Sequence, residues 1–384
     1  MSNGFGSKDY GEYFSALERQ INKSDNTRRD NQAFPDKPLN NVPAPRNRKL
    51  KKRARLRPQF AVAAVAILLI TFIVALSLNS CGSDKEVSSK EPADNTVSDV
   101  TKQPQKKSLF AEYSGQTKDI PADIESKSII FINCDENMVV AARNSKERCY
   151  PASTTKIMTV LVAAENIVDM SDTFTMSYEI TDPLYIQEAT MAGFLNAEQV
   201  NMTDLLYGAI LPSGADACMG LAIKISGSEE NFVKLMNEKA NELGLCNTHF
   251  TNSTGLFNPD HYTTAEDMAV IIRAAMENEI CREIMSSYKH TTAKTPQHPD
   301  GIELTSTLFS YMYGTEPDGA DILGGKTGFV SESGYCIASF GKGEDGKEYV
   351  CVTLSGVSLW PTAYDQIDLY SLYAGGSEKR YLAP

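Results

Sequence analysis

From Phe60 to Leu78 the chain reads FAVAAVAILLITFIVALSL, a run with no charge, proline or glycine. At 1.5 Å per residue a helix of this run spans about 28 Å, one bilayer core. Lys and Arg crowd the segment just before it, from Arg46 to Arg57, and the first charge beyond it is Asp84. The positive-inside rule then places the N-terminus in the cytoplasm and everything after about residue 80 on the far side of the membrane. The competing reading is a buried core helix, but an all-apolar helix behind a polybasic flank suits a soluble core poorly. A cleaved signal peptide is disfavoured by the 59 residues that precede the run. Leu78-Asn79-Ser80-Cys81 resembles a lipoprotein processing site, which would make Cys81 a lipidated N-terminus. The long N-terminal tail argues against that.

The 384 residues carry a net charge of -12, unevenly spread. Residues 1–57 hold 14 basic and 6 acidic side chains, and residues 58–384 hold 23 and 43. An acidic body argues against nucleic acid as a partner, since phosphate binding needs clustered Lys and Arg on the folded part. Residues 1–57 read as a disordered basic cytoplasmic tail, able to recruit a cytoplasmic partner. Residues 58–80 read as a transmembrane signal-anchor. Residues 81–118, rich in Ser, Lys, Glu, Asp and Gln, read as a polar linker. The globular part is expected over 119–375, with a short tail at 376–384.

Within it, Ser128–Asn133 and Met138–Arg143 flank Cys134-Asp135-Glu136-Asn137 and predict a hairpin. Residues 153–167 predict an apolar helix. Thr203–Ile225 predicts a helix interrupted at Pro212-Ser213-Gly214, and Glu229–Leu243 one that stops at Gly244. Thr264-Ala265-Glu266-Asp267 resembles a capping box. Tyr335–Phe340 and Tyr349–Leu354 predict strands, and Thr362–Ala374 a last helix. Helices mid-chain and strands at both ends imply an α+β domain. Its antiparallel sheet would be built from both ends of the domain and flanked by a helical subdomain.

The eight cysteines contain no C-x-x-C, so a zinc or thioredoxin-type site is not indicated. They read as small apolar residues more readily than as a disulfide framework. His249, His261, His290 and His298 form no metal-binding spacing and read as structural or surface residues. No metal and no cofactor are implied.

Three short motifs remain. Ser153-Thr154-Thr155-Lys156 opens the apolar helix, and residues at i and i+3 share a helix face, so Lys156 can reach the Ser153 hydroxyl. A serine needs a base at neutral pH, and a lysine serves only if burial or another cation depresses its pKa. A helix N-terminus also favours a developing oxyanion. Ser213-Gly214 lies in the helix break and could relay a proton; a plain turn serine is the simpler reading of it alone. Gly324-Gly325-Lys326-Thr327-Gly328 contains the only K-T-G in the chain. Its cation and hydroxyl suit a substrate carboxylate, and Lys326 beside Lys156 would lower the base's pKa. Ser286–Lys289 and Ser339–Lys342 share the S-x-x-K spacing but not the order of motifs.

Ser-x-x-Lys, Ser-Gly and Lys-Thr-Gly in this order resemble the active-serine penicillin-recognising enzymes. The flanking residues are more specific. Pro151-Ala152-Ser153-Thr154-Thr155-Lys156-Ile157-Met158-Thr159, Leu211-Pro212-Ser213-Gly214, Met236-Asn237-Glu238-Lys239-Ala240, Glu242-Leu243-Gly244-Leu245, Thr254-Gly255-Leu256, Thr264-Ala265-Glu266-Asp267-Met268 and Gly334-Tyr335-Cys336 resemble the D-alanyl-D-alanine carboxypeptidase family. The resemblance covers about residues 119–375. It implies a β-lactamase/transpeptidase-like fold and removal of the terminal D-alanine from peptidoglycan stem pentapeptides, with β-lactams as inhibitors. It implies Ser153 as the acylated nucleophile, Lys156 as its base and Ser213 as the proton relay to the leaving D-alanine. Lys326 and Thr327 would hold the terminal carboxylate, Gly328 would let the substrate backbone lie against the strand, and the N–H groups of Ser153 and Phe329 would form the oxyanion hole.

Two departures stand out. The family usually has Ser-x-Asn in its second motif, and here the position is Ala215. One lost hydrogen bond costs about one to two decades in rate. The residues after Gly328 leave no expected room for the second β domain and C-terminal anchor of many relatives, so the N-terminal apolar run is expected to do the anchoring. Ala215 keeps open a catalytically weak or non-enzymatic peptidoglycan- or β-lactam-binding role. A β-lactamase is the other alternative, although no Glu-x-x-Leu-Asn lies between Ser213 and Lys326.

Overall fold

A computed structural model describes residues 108–375. The expected cytoplasmic tail, signal-anchor, Cys81, most of the linker and the C-terminal tail lie outside the described residues. No described helix is long and apolar enough to cross a membrane.

The described strands are β1 (Lys118–Asp119), β2 (Ser128–Asn133), β3 (Met138–Arg143), β4 (Thr173–Thr175), β5 (Gln199–Asn201), β6 (Lys289–Thr291), β7 (Glu303–Thr305), β8 (Ala320–Val330), β9 (Gly334–Gly343) and β10 (Glu348–Gly356). Six of them form one sheet in the order β1-β3-β2-β10-β9-β8, while β4 pairs with β5 and β6 with β7. The sequence predicts an antiparallel sheet; the sheet is mixed. β1 runs parallel to β3, with Lys118 opposite Ala141 and Asp119 opposite Ala142. The β2–β3 hairpin leaves β3 at an edge, and the incoming chain lies along that edge before crossing over to begin β2. Arg143 holds the crossover: its guanidinium donates to the carbonyls of Ile120, Pro121, Ile124 and Ser126. Both residues of β1 are exposed, so no apolar alternation announces the strand.

All six residues of β2 are buried, because the sheet is covered on both faces. Ile129 and Phe131 pack with Tyr349, Cys351, Leu369 and Tyr370, the last two from the C-terminal helix. Ile130 and Ile132 face the other way, into the large core shared with the central helices. Each such side chain contributes about 1.5–3 kcal/mol by leaving water.

The helices are α1 (Lys156–Asn166), α2 (Tyr178–Ile186), α3 (Met202–Ile210), α4 (Ala215–Ser226), α5 (Glu229–Glu242), α6 (Ala265–Glu277), α7 (Glu279–Ser286), α8 (Thr307–Met312) and α9 (Leu359–Tyr373). The expected interruption at Pro212-Ser213-Gly214 is the break between α3 and α4. α6 opens as the capping box predicts, with the Thr264 side chain accepting the Asp267 N–H. α5 ends just before Gly244, whose φ of 77° suits a glycine past a helix end. The sequence reading passes over α2, α7, α8 and the strands β4–β7. α2 carries Pro183 inside it, and three-residue strands are too short to show a period.

Candidate active site

Ser153 sits in a single 3-10 turn, Ala152–Thr155, and α-helical geometry begins only at Lys156. With three residues per turn, i and i+3 eclipse, so Lys156 stands over Ser153. Its Nζ donates to Ser153 Oγ at 2.9 Å and to the Thr254 carbonyl at 2.5 Å. The Lys156 side chain is 2% exposed.

The backbone around Ser153 is held tightly. Ala152 has a φ of 48°, a left-handed conformation that costs an alanine about 1–2 kcal/mol. Two glycines accommodate it. A Cβ on Gly255 would lie 2.0 Å from the Ala152 carbonyl oxygen, and one on Gly328 would lie 2.7 Å from the Ser153 nitrogen. The K-T-G strand can approach the serine's backbone only as glycine at position 328.

Lys326 is 1% exposed, and its Nζ donates to the Thr327 carbonyl at 2.8 Å. Burial holds Lys156 below the ordinary lysine value, with Cys218 and Asp216 opposing. Burial and then the charge of Lys156 hold Lys326 well below it. Two buried ammonium groups cannot both keep their protons cheaply, so part of the pair's population is neutral at a pH where a free lysine is charged.

Ser213 occupies the α3–α4 break with a φ of 69°. It lines a hollow of 330 Å³ together with Ser153, Thr190, Thr307, Thr327 and Phe329. A second hollow of 440 Å³ shares Ser153 and Phe329 with it and is lined by Lys156, Ala215, Thr254, Phe257 and Glu332 among others. The Thr327 hydroxyl bonds to that of Thr307 at 2.7 Å. Phe329 is 51% exposed and packs on Tyr335 with ring centroids 4.4 Å apart. Ser153, Ser213, Thr327, Gly328 and Phe329 thus line the first hollow and Lys156 the second, while Lys326 is buried close enough to Lys156 to feel its charge and lines neither. The two decoys stay apart from it: Ser339 is buried in β9 against Gln366, and Lys289 pairs with Glu303.

Asp216 has no role in the sequence reading, yet it organises the cleft wall. It is fully buried, and its carboxylate accepts the N–H groups of Ala192, Gly193, Phe194 and Ala217. Burial pushes its carboxyl up, while those four donors pull it down. The Thr254 carbonyl, which receives the Lys156 ammonium, was likewise visible only as part of a motif. His261 is structural, as expected. The Thr251 N–H donates to its Nδ1 at 3.1 Å, so Nε2 carries the proton and donates to Thr155 Oγ1 at 2.8 Å. Among the described residues no His, Cys, Asp and Glu group is placed to hold a metal ion.

Residues 115–357 match a family model described as D-alanyl-D-alanine carboxypeptidase (Peptidase_S11). Over 243 residues the chain is 35% identical to D-alanyl-D-alanine carboxypeptidase DacF of Bacillus subtilis, covering 61% of this chain and 58% of that one. Over 214 residues it is 32% identical to a D-alanyl-D-alanine carboxypeptidase of Streptomyces sp. K15, covering 54% and 72%. Among solved structures it resembles the Streptomyces K15 DD-transpeptidase with a TM-score of 0.57 and 28% identity, over 64% of this chain and 95% of that one. Penicillin binding protein 5 from Haemophilus influenzae gives a TM-score of 0.57 and 26% identity, over 65% and 71%. The chain spans little more than half the length of the Bacillus relative. Its α+β fold with a mixed sheet is the fold of these two structures.

Proposed function

The chain belongs to the D-alanyl-D-alanine carboxypeptidase family, and from that premise we propose that it is a serine-type D-Ala-D-Ala carboxypeptidase acting on peptidoglycan stem peptides. The observation that carries this reading is the buried Lys156 ammonium, its pKa depressed by burial, at 2.9 Å from Ser153 Oγ. In its neutral form Lys156 takes the serine proton as Ser153 Oγ attacks the carbonyl of the penultimate D-alanine. The N–H groups of Ser153 and Phe329 receive the oxyanion. Ser213 relays the proton held by Lys156 to the departing amine as the C–N bond breaks, so that both are restored and D-alanine leaves. Lys326 and Thr327 hold its carboxylate, with Gly328 letting the strand lie close. Water then cleaves the Ser153 ester, and Lys156 again takes a proton. Penicillin would acylate the same serine.

We also propose that residues 58–80 anchor the protein as a single span, with residues 1–57 in the cytoplasm and the folded domain outside. The apolar run and its basic flank support this. Ala215 supports the alternative of a weak enzyme or a binding protein, because it lines the hollow beside Ser153 without a carboxamide to offer.

The test is D-alanine release from diacyl-L-Lys-D-Ala-D-Ala by the purified full chain, with Ser153→Ala as control. Release that depends on Ser153 supports the carboxypeptidase. A folded protein that releases nothing overturns it in favour of a binding role.

A further inference from the structure

Thr307 is the first residue of α8, and it touches two pieces of the cleft that come from distant parts of the chain. Its backbone N–H donates to the carbonyl of Leu211 at 3.0 Å, two residues before Ser213. Its hydroxyl bonds to the Thr327 hydroxyl at 2.7 Å. One residue therefore ties the loop that bears Ser213 to the strand that bears Lys326, Thr327 and Gly328, along the wall of the 330 Å³ hollow. Its own position is set in turn by Ser306, whose side chain accepts the Phe309 N–H and whose N–H donates to the Tyr288 carbonyl at 2.9 Å.

We propose that Thr307 is a positioning residue that fixes the direction of the Thr327 hydroxyl proton, and so determines how well the cleft recognises a substrate carboxylate. A threonine hydroxyl has one proton and two lone pairs. To donate to a carboxylate, Thr327 must spend its proton there and can then only accept from Thr307. Thr307 must accordingly be the donor of the 2.7 Å bond. Among the described residues no arginine or exposed lysine lines this hollow, so hydroxyl direction matters more here than beside a mobile cation. Lys326 is buried, and its Nζ is turned to the Thr327 carbonyl. Without Thr307 the Thr327 hydroxyl is free to rotate among staggered positions, most of which miss the carboxylate.

This inference rests on the proposed carboxypeptidase reading, and the experiment separates the two. Thr307→Val keeps the shape and the N–H to Leu211 but removes the hydroxyl; Thr307→Ser keeps the hydroxyl. With the full chain, cleavage of the terminal peptide bond is compared for diacyl-L-Lys-D-Ala-D-Ala, read as released D-alanine, and for the same peptide as its C-terminal amide, read as released D-alaninamide. Thr307→Val is expected to raise KM about tenfold on the free acid with kcat changed less than about threefold, and to leave kcat/KM on the amide within about twofold. Thr307→Ser is expected to recover most of the loss. In a Thr327→Val background, Thr307→Val should add nothing further. Unchanged kinetics in Thr307→Val, an equal loss on both peptides, or a full loss in the Thr327→Val background would each overturn the inference while leaving the enzyme reading intact. A wild type without Ser153-dependent release overturns both. Thermal melting of each variant distinguishes a misfolded protein from a mispositioned hydroxyl, and a large melting shift in Thr307→Val without recovery in Thr307→Ser counts against it.

Discussion

The Asp216 carboxylate accepts the Ala192 N–H at 2.7 Å, joining the first turn of α4 to the 190–194 segment that walls the cleft. Three further N–H groups share that carboxylate, from Gly193, Phe194 and Ala217. Asp216→Ala leaves four backbone donors without that partner, three of them on buried residues. A loss of about 3–5 kcal/mol is expected, the scale for removing one side of a buried charged hydrogen-bond set. Urea unfolding of the variant measures it. A loss below about 1 kcal/mol would show that water takes over the four donors.

The pH dependence should follow Lys156. Only the neutral amine can accept the serine proton, so D-alanine release is expected to fall as pH drops through the Lys156 pKa. Burial sets that pKa below the ordinary lysine value of about 10.4. Lys326→Gln removes a repelling charge and should move the ascending limb to higher pH while raising KM. A limb that stays in place would mean that burial alone sets the base.

His261 predicts where acid weakens the fold. Burial pushes its imidazole down to about 3, from an ordinary 6.5. Above pH 6.5 both folded and unfolded states hold it neutral, and the folded state loses nothing. As pH falls from 6.5 towards 3 only the unfolded state takes up the proton, so stability declines, by about 5 kcal/mol in all. Unfolding free energies at pH 7 and pH 4 should therefore differ by less in His261→Gln than in the wild type. Equal differences in the two proteins would contradict the assignment of a neutral, buried imidazole.

Ala215 opens α4 and lines the 440 Å³ hollow with Ser153 and Lys156. Ala215→Asn supplies a carboxamide there. An increase in kcat/KM of about tenfold is expected, one hydrogen bond's worth, for D-alanine release. The cost is overpacking at a site that is 2% exposed, about 1–3 kcal/mol by thermal melting. A destabilised variant with no gain in rate would show that this cleft has been rebuilt around the alanine.

The parts of the molecule with strong local signals were readable from the chain. The β2–β3 hairpin is spelled by two apolar runs around a four-residue turn, and α6 by a capping box. The three motifs were readable because order and spacing constrain them jointly, and a residue of each, Ser153, Ser213 and Thr327, lines one hollow. What escaped notice was relational. Asp216 looks like any helix-start acid until its three donors from a loop more than twenty residues away are seen. Thr307 begins a six-residue helix with no period to detect. β1 is two exposed residues recruited by an edge, so its parallel direction follows from the hairpin's geometry and not from its own side chains.

The central pairing of the sheet joins Ile130 to Val352, so the strands that meet there are made at opposite ends of the domain. β10 lies between β2 and β9, and α9 follows it to seal the Phe131 face. An N-terminal fragment of this domain therefore has a β2 edge with nothing to pair and a buried face with nothing to cover it. Closing so long a loop is slow, which puts folding at the high-contact-order end of the range. If the domain is delivered through the membrane N-terminus first, it stays unfinished and open to pairing errors until its final sixty or so residues have crossed. Assembly of the cleft is then the last step of folding, and no partly delivered form of the domain holds a complete site.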